Sequence, residues 1–264
     1  MQILVHDDVR IDARIDGSSR DTVLLIHGFP LSKEIWEAQI PVLARAHRVI
    51  AVDLRGMGSS SVPPGPYLME ALAGDVAAVL DHLGVERVAM VGHSLGGYVA
   101  LAFARMYGER IATLALVCSR IAADSDARRE ARFETARQLD ARGIDAAFVE
   151  QSIEGAFLAE NREKMSEAVE KARKIIEKSN ARGLASMLRG MALRDGAEDI
   201  APELNMPVLV VAGRRDPVVP LAESEAATAA FPGGRLVVLD RTGHLPMLEE
   251  PDRLAEVLAE FIAG

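Results

Sequence analysis

The segment that most constrains this chain is Gly92-His93-Ser94-Leu95-Gly96-Gly97, set between two apolar stretches. Val88-Ala89-Met90-Val91 reads as a buried strand, and Tyr98–Ala104 as a helix closed by Gly108. A strand that passes straight into a helix must turn sharply. The positions two before and two after the apex then have almost no room for a side chain. Gly92 and Gly96 meet that demand. A serine at such an apex presents its hydroxyl at the N-terminus of the next helix. There, free N–H groups and the helix dipole favour a developing anion. Ser94 is therefore the candidate nucleophile.

The same strand-then-helix alternation recurs along the chain. Met1–His6 and Val9–Ile15 read as a hairpin turning at Asp7-Asp8. Thr22–Ile26, Arg48–Val52, Arg87–Val91, Ile111–Val117, Pro207–Ala212 and Arg235–Leu239 read as strands. Between them, Ser32–Ala44 (Ser32 as N-cap), Met69–Leu83, Ser94–Tyr107, Leu221–Ala230 and Asp252–Ile262 read as helices. Most of the strands are unbroken apolar runs, which predicts a largely parallel sheet covered on both faces. From Ser125 to about Arg194 the alternation stops and only helix-period, charge-rich sequence appears. The clearest stretch is Arg162–Lys178, with Met165, Ala168, Val169, Ala172, Ile175 and Ile176 on one face. This predicts a core of residues 1–119 and 201–264 interrupted by a helical cap, 120–200. The apolar face of that cap is expected to cover an opening above Ser94.

Composition excludes several classes. The chain has 264 residues, enough for one such domain with an insertion, and 49% are apolar. A net charge of −9 argues against nucleic acid, which needs clustered Lys and Arg. No apolar run approaches membrane-spanning length, and Met1–Val5 runs straight into charged residues. The expectation is a cytoplasmic protein acting on a small molecule. Cys118 is the one cysteine and reads as a buried thiol. No His/Cys cluster has metal-ligand spacing, so neither a metal nor another cofactor is expected. Oligomeric state is left open.

A serine hydroxyl needs a base and a group that orients the base. Of six histidines, His6, His47 and His82 read as surface or structural residues, and His27 lies in a turn after the strand 22–26. His93 adjoins the serine but, as its neighbour on the turn, is expected to point away. His244 follows the last strand in Thr242-Gly243-His244-Leu245-Pro246, at the sheet edge where ligands bind in parallel sheets. It is the expected base. Asp216, in Gly213-Arg214-Arg215-Asp216-Pro217, falls between serine and histidine in chain order and is the expected acid. Asp124 competes with it, and Asp240 reads as structural. The oxyanion donors are assigned to the N–H groups of Leu95 and of Phe29, since Pro30 has none to give. Leu31, Met187, Met191 and Pro246 are the candidate pocket residues, beside Phe29 and Leu95.

Taken together, His27-Gly28-Phe29-Pro30, Asp53–Ser60, the turn at Ser94, Gly213–Asp216 and Gly243-His244 resemble the α/β-hydrolase superfamily over essentially the whole chain. The resemblance implies an eight-stranded, mostly parallel sheet with a helical cap after strand six. It also implies a structural role for residues 53–60, shaping one edge of the pocket. Within the superfamily the chain looks most like small bacterial carboxylesterases, and is similar to enol-lactone hydrolases and cofactor-free perhydrolases. The implied activity is hydrolysis of short to medium acyl esters through an acyl-enzyme. A lactonase, an acyltransferase, a carbon–carbon bond hydrolase and a ligand receptor on the same fold remain open at this level.

Overall fold

The computed structural model describes residues 1–6 and 8–264. Its strands are β1 Gln2–His6, β2 Val9–Asp16, β3 Thr22–Ile26, β4 Arg48–Val52, β5 Val88–His93, β6 Ile111–Val117, β7 Val208–Gly213 and β8 Arg235–Leu239. They form one eight-stranded sheet in the order β1-β2-β4-β3-β5-β6-β7-β8. β1 and β2 pair antiparallel, as do β2 and β4, and every pairing from β4 to β8 is parallel. The β1–β2 register brings His6 opposite Val9. The turn expected at Asp7-Asp8 includes Asp7, which lies outside the described residues.

Side chains alternate across a strand with period two, and here both sets are apolar. Leu24, Ile26, Met90, Leu114, Leu116 and Val210 enter one core layer. Val23, Leu25, Val91, Ala115, Val117 and Val211 enter the other. That double burial is why the strands read as continuous runs. The helices are α1 Gln39–Leu43, α2 Met69–His82, α3 Leu95–Tyr107, α4 Asp126–Arg142, α5 Ala146–Glu154, α6 Ala159–Lys164, α7 Ser166–Glu177, α8 Ala181–Ala192, α9 Leu221–Ala230, α10 Pro246–Glu249 and α11 Pro251–Ala263. α2 and α3 bury Leu72, Val76, Val99 and Phe103 in the first layer. α1 and α11 bury Ile40, Leu43, Leu254 and Leu258 in the second.

Helices α4–α8 all fall between β6 and β7, with α4 packed on α8 and α5 on α7. Two expected helices are broken. In place of 32–44 there is a 3-10 turn, Lys33–Trp36, followed by α1. Ser32 does cap the first piece, accepting from the Glu34 N–H. Pro41 falls in the first turn of α1, where its missing N–H costs no intrahelical bond. In place of 162–178 there are α6 and α7, separated at Met165 by a non-helical backbone of φ −119° and ψ 50°. No helix among the described residues is long and apolar enough to cross a membrane.

Candidate active site

The turn at the end of β5 sets the geometry. Ser94 adopts φ 49° and ψ −110°, a conformation costly for an L-residue outside glycine. Its backbone bonds hold it there, among them a longer one from the Tyr98 N–H to its carbonyl (3.3 Å). Its N–H donates to the Val117 carbonyl of β6 (2.9 Å), while its own carbonyl accepts from the Gly97 N–H (2.9 Å) and the Ser119 hydroxyl (2.8 Å). A Cβ on Gly92 would strike the Gly96 carbonyl, and one on Gly96 would strike the Ile26 carbonyl of β3. Both glycines are therefore required by close packing, as the sequence predicts.

The loops after β7 and β8 bring Asp216 and His244 to the same sheet edge. His244 Nδ1 lies 2.8 Å from Asp216 Oδ2, and His244 Nε2 lies 3.0 Å from Ser94 Oγ. A carboxylate only accepts, so the imidazole proton sits on Nδ1, and Nε2 accepts from the Ser94 hydroxyl. All three residues are less than a tenth exposed. Asp216 Oδ1 accepts from the Val218 and Val219 N–H groups at 2.7 and 2.9 Å. Burial pushes the Asp216 pKa up. The opposing pull of His244 and of these N–H donors is larger, and the net value lies below that of an ordinary aspartate.

Asp124, the competing acid, does not reach His244. It is buried between the guanidinium groups of Arg132 and Arg194. Asp240 pairs with Arg214 at the surface (2.5 Å). The Leu95 N–H, directly after Ser94 and at the first position of α3, and the Phe29 N–H have no hydrogen-bond acceptor among the described residues. Phe29 lines the cavity over Ser94, whereas Leu95 is wholly buried and can offer only its backbone.

The cavity is about 240 Å³ and is lined by Phe29, Leu31, Ser94, Tyr98, Met191 and His244, with α5 and α7 contributing Ile153, Ala172 and Ile176. The face of α7 thus covers Ser94 as expected. Three pocket expectations are corrected. Met187 does not line the cavity but is fully buried in the core. The Tyr67 N–H donates to the Ser186 carbonyl (3.1 Å), which ties the middle of α8, where Met187 sits, to the loop before α2. Pro246 opens α10 and is also absent from the lining; Leu245, one residue earlier, takes that position. Residues 53–60 do not line the cavity either. Asp53 is buried there and accepts from the Lys33 N–H and the Ser59 N–H at 2.8 Å each, and from the Lys33 ammonium at 2.5 Å.

Two residues behind the site escaped the sequence reading. His93 does not simply point away: its Nε2–H donates to the His244 carbonyl (2.8 Å). Burial and the neighbouring His244 ring push its pKa down to about 3, so it is neutral near pH 7. Glu249 is also buried. Its Oε2 accepts from the Gly243 and Leu245 N–H groups (2.9 and 3.3 Å), and its Oε1 from the Leu158 N–H (3.0 Å) and the Asn161 amide (2.8 Å). One carboxylate thus ties the His244 loop to the start of α6. The His244 N–H adds a bond to the Ala156 carbonyl, also at 2.8 Å. Cys118 Sγ lies with ligand atoms of Asp216 and His244 inside 4.8 Å. Burial raises the thiol pKa well above normal, and the other two atoms are bonded to each other, so this set is poorly suited to a cation.

A buried hydroxyl–imidazole–carboxylate line at the C-terminal edge of a parallel sheet defines a class of hydrolase folds. The pattern of the α/β hydrolase fold family matches residues 21–251, and the chain belongs to that family. A pimeloyl-[acyl-carrier protein] methyl ester esterase of Aeromonas hydrophila is 31% identical over 93% of this chain and 96% of its own. The 3-oxoadipate enol-lactonase 2 of Acinetobacter baylyi is 28% identical over 94% of this chain and 91% of its own. A thermophilic esterase from Thermogutta terrifontis superposes with a TM-score of 0.95 at 35% identity, covering 100% of this chain and 97% of the esterase. By this kinship the protein is an esterase-like hydrolase.

Proposed function

We propose that the protein hydrolyses carboxylic esters of short to medium acyl length through an acyl-enzyme. The observation that carries this reading is the Ser94–His244–Asp216 line of 3.0 and 2.8 Å at the edge of the cavity. Ser94 Oγ attacks the ester carbonyl while His244 Nε2 takes its proton. The oxyanion of the tetrahedral intermediate accepts from the Leu95 and Phe29 N–H groups. His244 then protonates the departing alkoxide, leaving acyl-Ser94 and a free alcohol. Water then attacks the acyl carbon while His244 takes its proton; the second tetrahedral intermediate collapses, His244 returns that proton to Ser94 Oγ, and the acid departs. Asp216 holds the imidazole in its Nδ1–H tautomer and balances its charge when it becomes a cation. The helices between β6 and β7 act as a cap that limits water and sets acyl length. Short chains are favoured because about 240 Å³ is small beside the roughly 300–1,000 Å³ of drug-sized sites. Neither a metal nor an organic cofactor enters these steps. A lactone is an internal ester and fits the same scheme, with its alcohol still tethered.

Turnover of 4-nitrophenyl esters from acetate to dodecanoate tests the proposal. Acetate to hexanoate should be preferred, and Ser94→Ala should lower kcat by about 10⁴–10⁶ while keeping a cooperative melting transition. Near-parental turnover by folded Ser94→Ala would overturn the assignment. Single turnover without recycling would point to a receptor.

A further inference from the structure

The cavity wall carries one fixed charge, and the scheme above does not use it. Among the described residues that line the cavity, Arg132 of α4 is the only permanently charged side chain, and none is a carboxylate. Its partner Asp124 is shared. The Asp124 carboxylate, 1% exposed, accepts from Arg132 Nε and Nη2 on one side and from Arg194 Nη2 (3.1 Å) on the other. Arg194 is enclosed at 3% exposure, with its guanidinium stacked 4.0 Å over the Tyr98 ring. Arg132 keeps 18% of its side chain exposed, and its Nη1 meets the Met191 thioether, a weak acceptor (3.4 Å). Two guanidinium groups therefore share one carboxylate, and the surplus positive charge reaches the cavity through Arg132.

In an otherwise largely apolar cavity such a charge is costly to leave unmatched and selective once matched. Asp124 holds the Nε–Nη2 edge of Arg132, which leaves the Nη1 side, now against the Met191 thioether, to donate to a second carboxylate. We infer that the substrate is an ester or lactone that carries a second, free carboxylate, held by Arg132 while the ester carbonyl lies at Ser94. This inference rests on the hydrolase reading above and narrows it from esters in general to anionic ones. Arg132 is assigned as a specificity-determining residue, anchored by Asp124 and Arg194.

The test compares substrates matched in length. Monomethyl glutarate is set against methyl pentanoate, which ends in methyl instead of carboxylate. To place the charge on the alcohol side, 3-acetoxypropanoate is set against propyl acetate, which again ends in methyl instead of carboxylate. The parent protein should favour at least one charged member by 10-fold or more in kcat/KM. Arg132→Gln should collapse that ratio mainly through KM, and Arg132→Lys should restore part of it. No preference in the parent protein overturns the inference. So does an Arg132→Gln protein that loses both members of a pair alike, since that is the mark of a merely structural ion pair. A parallel measurement needs no turnover. Glutarate should raise the parent protein's Tm where pentane-1,5-diol does not, and a failure of glutarate to do so counts against the anion site. Glutarate binding without ester turnover would sink the hydrolase reading and leave the anion site standing. Turnover without carboxylate preference would sink the anion site alone.

Discussion

At the residue scale, the chemistry depends on which carboxylate faces His244. Asp216 and Asp124 both follow strands of the parallel sheet and both are buried, so their partners decide the matter. Asp216 meets the imidazole at 2.8 Å, while Asp124 meets two guanidinium groups. Asp216→Asn can no longer hold the Nδ1–H tautomer, and kcat should fall by about 10⁴ with the fold intact. Asp124→Asn should act first on stability, because it strands the buried Arg194 and the partly exposed Arg132, at a cost on the order of 3–5 kcal/mol. Ester turnover and chemical unfolding of both variants check this. A crippled Asp124→Asn beside a mild Asp216→Asn would reassign the acid. That Ser94, His244 and Asp216 meet was legible in the sequence, because chain order and strand ends bring them to one edge. Arg132 was not. It sits on a charge-rich helix where most arginines are solvated, and only the fold shows that this one turns to the cavity.

At the element scale, the sheet and its covering helices could be read from apolar runs and punctuating glycines, since local sequence directly reports double burial. The joints could not. The apolar spacing of 162–178 runs unbroken through Met165, although the backbone leaves the helix there. At 32–44 a usable signal was present: Pro41 marks a helix that starts just before it. Glu249 shows the limit most clearly. Its four donors come from residues 158, 161, 243 and 245, and two of those are about ninety positions away. Its consequence is local to one joint, between the His244 loop and α6. Glu249→Gln replaces one acceptor oxygen by an N–H donor facing two N–H groups. Stability should fall by about 1–3 kcal/mol. kcat should fall by up to about 10²-fold as His244 drifts from Ser94, with KM changed less. Steady-state kinetics alongside thermal melting would show it. A loss of stability with unchanged kcat would make Glu249 a simple tie between two loops.

At the scale of the whole molecule, two buried neutral histidines couple the fold to pH. Burial lowers the pKa of His27, whose Nε2 accepts from the Leu54 N–H (3.1 Å). Burial and His244 lower that of His93 to about 3. In the unfolded chain each should titrate near the ordinary value of about 6.5. As pH falls below about 6.5 the unfolded state takes up protons that the folded state refuses. Stability from these groups is therefore complete above about pH 6.5 and is lost progressively on acidification. For His93 the loss continues until about pH 3, where the folded protein accepts the proton as well. His93 contributes a slope of about 1.4 kcal/mol per pH unit inside its window. His93→Gln keeps a donor for the His244 carbonyl but has no titrating ring. Its unfolding free energy, measured in urea between pH 6 and pH 4, should fall less steeply than the parent's by about that amount per unit. Other groups titrate equally in both proteins and cancel in the difference. Parallel lines for the two proteins across this range would mean that His93 is protonated in the fold, and that it cannot be the neutral donor behind His244.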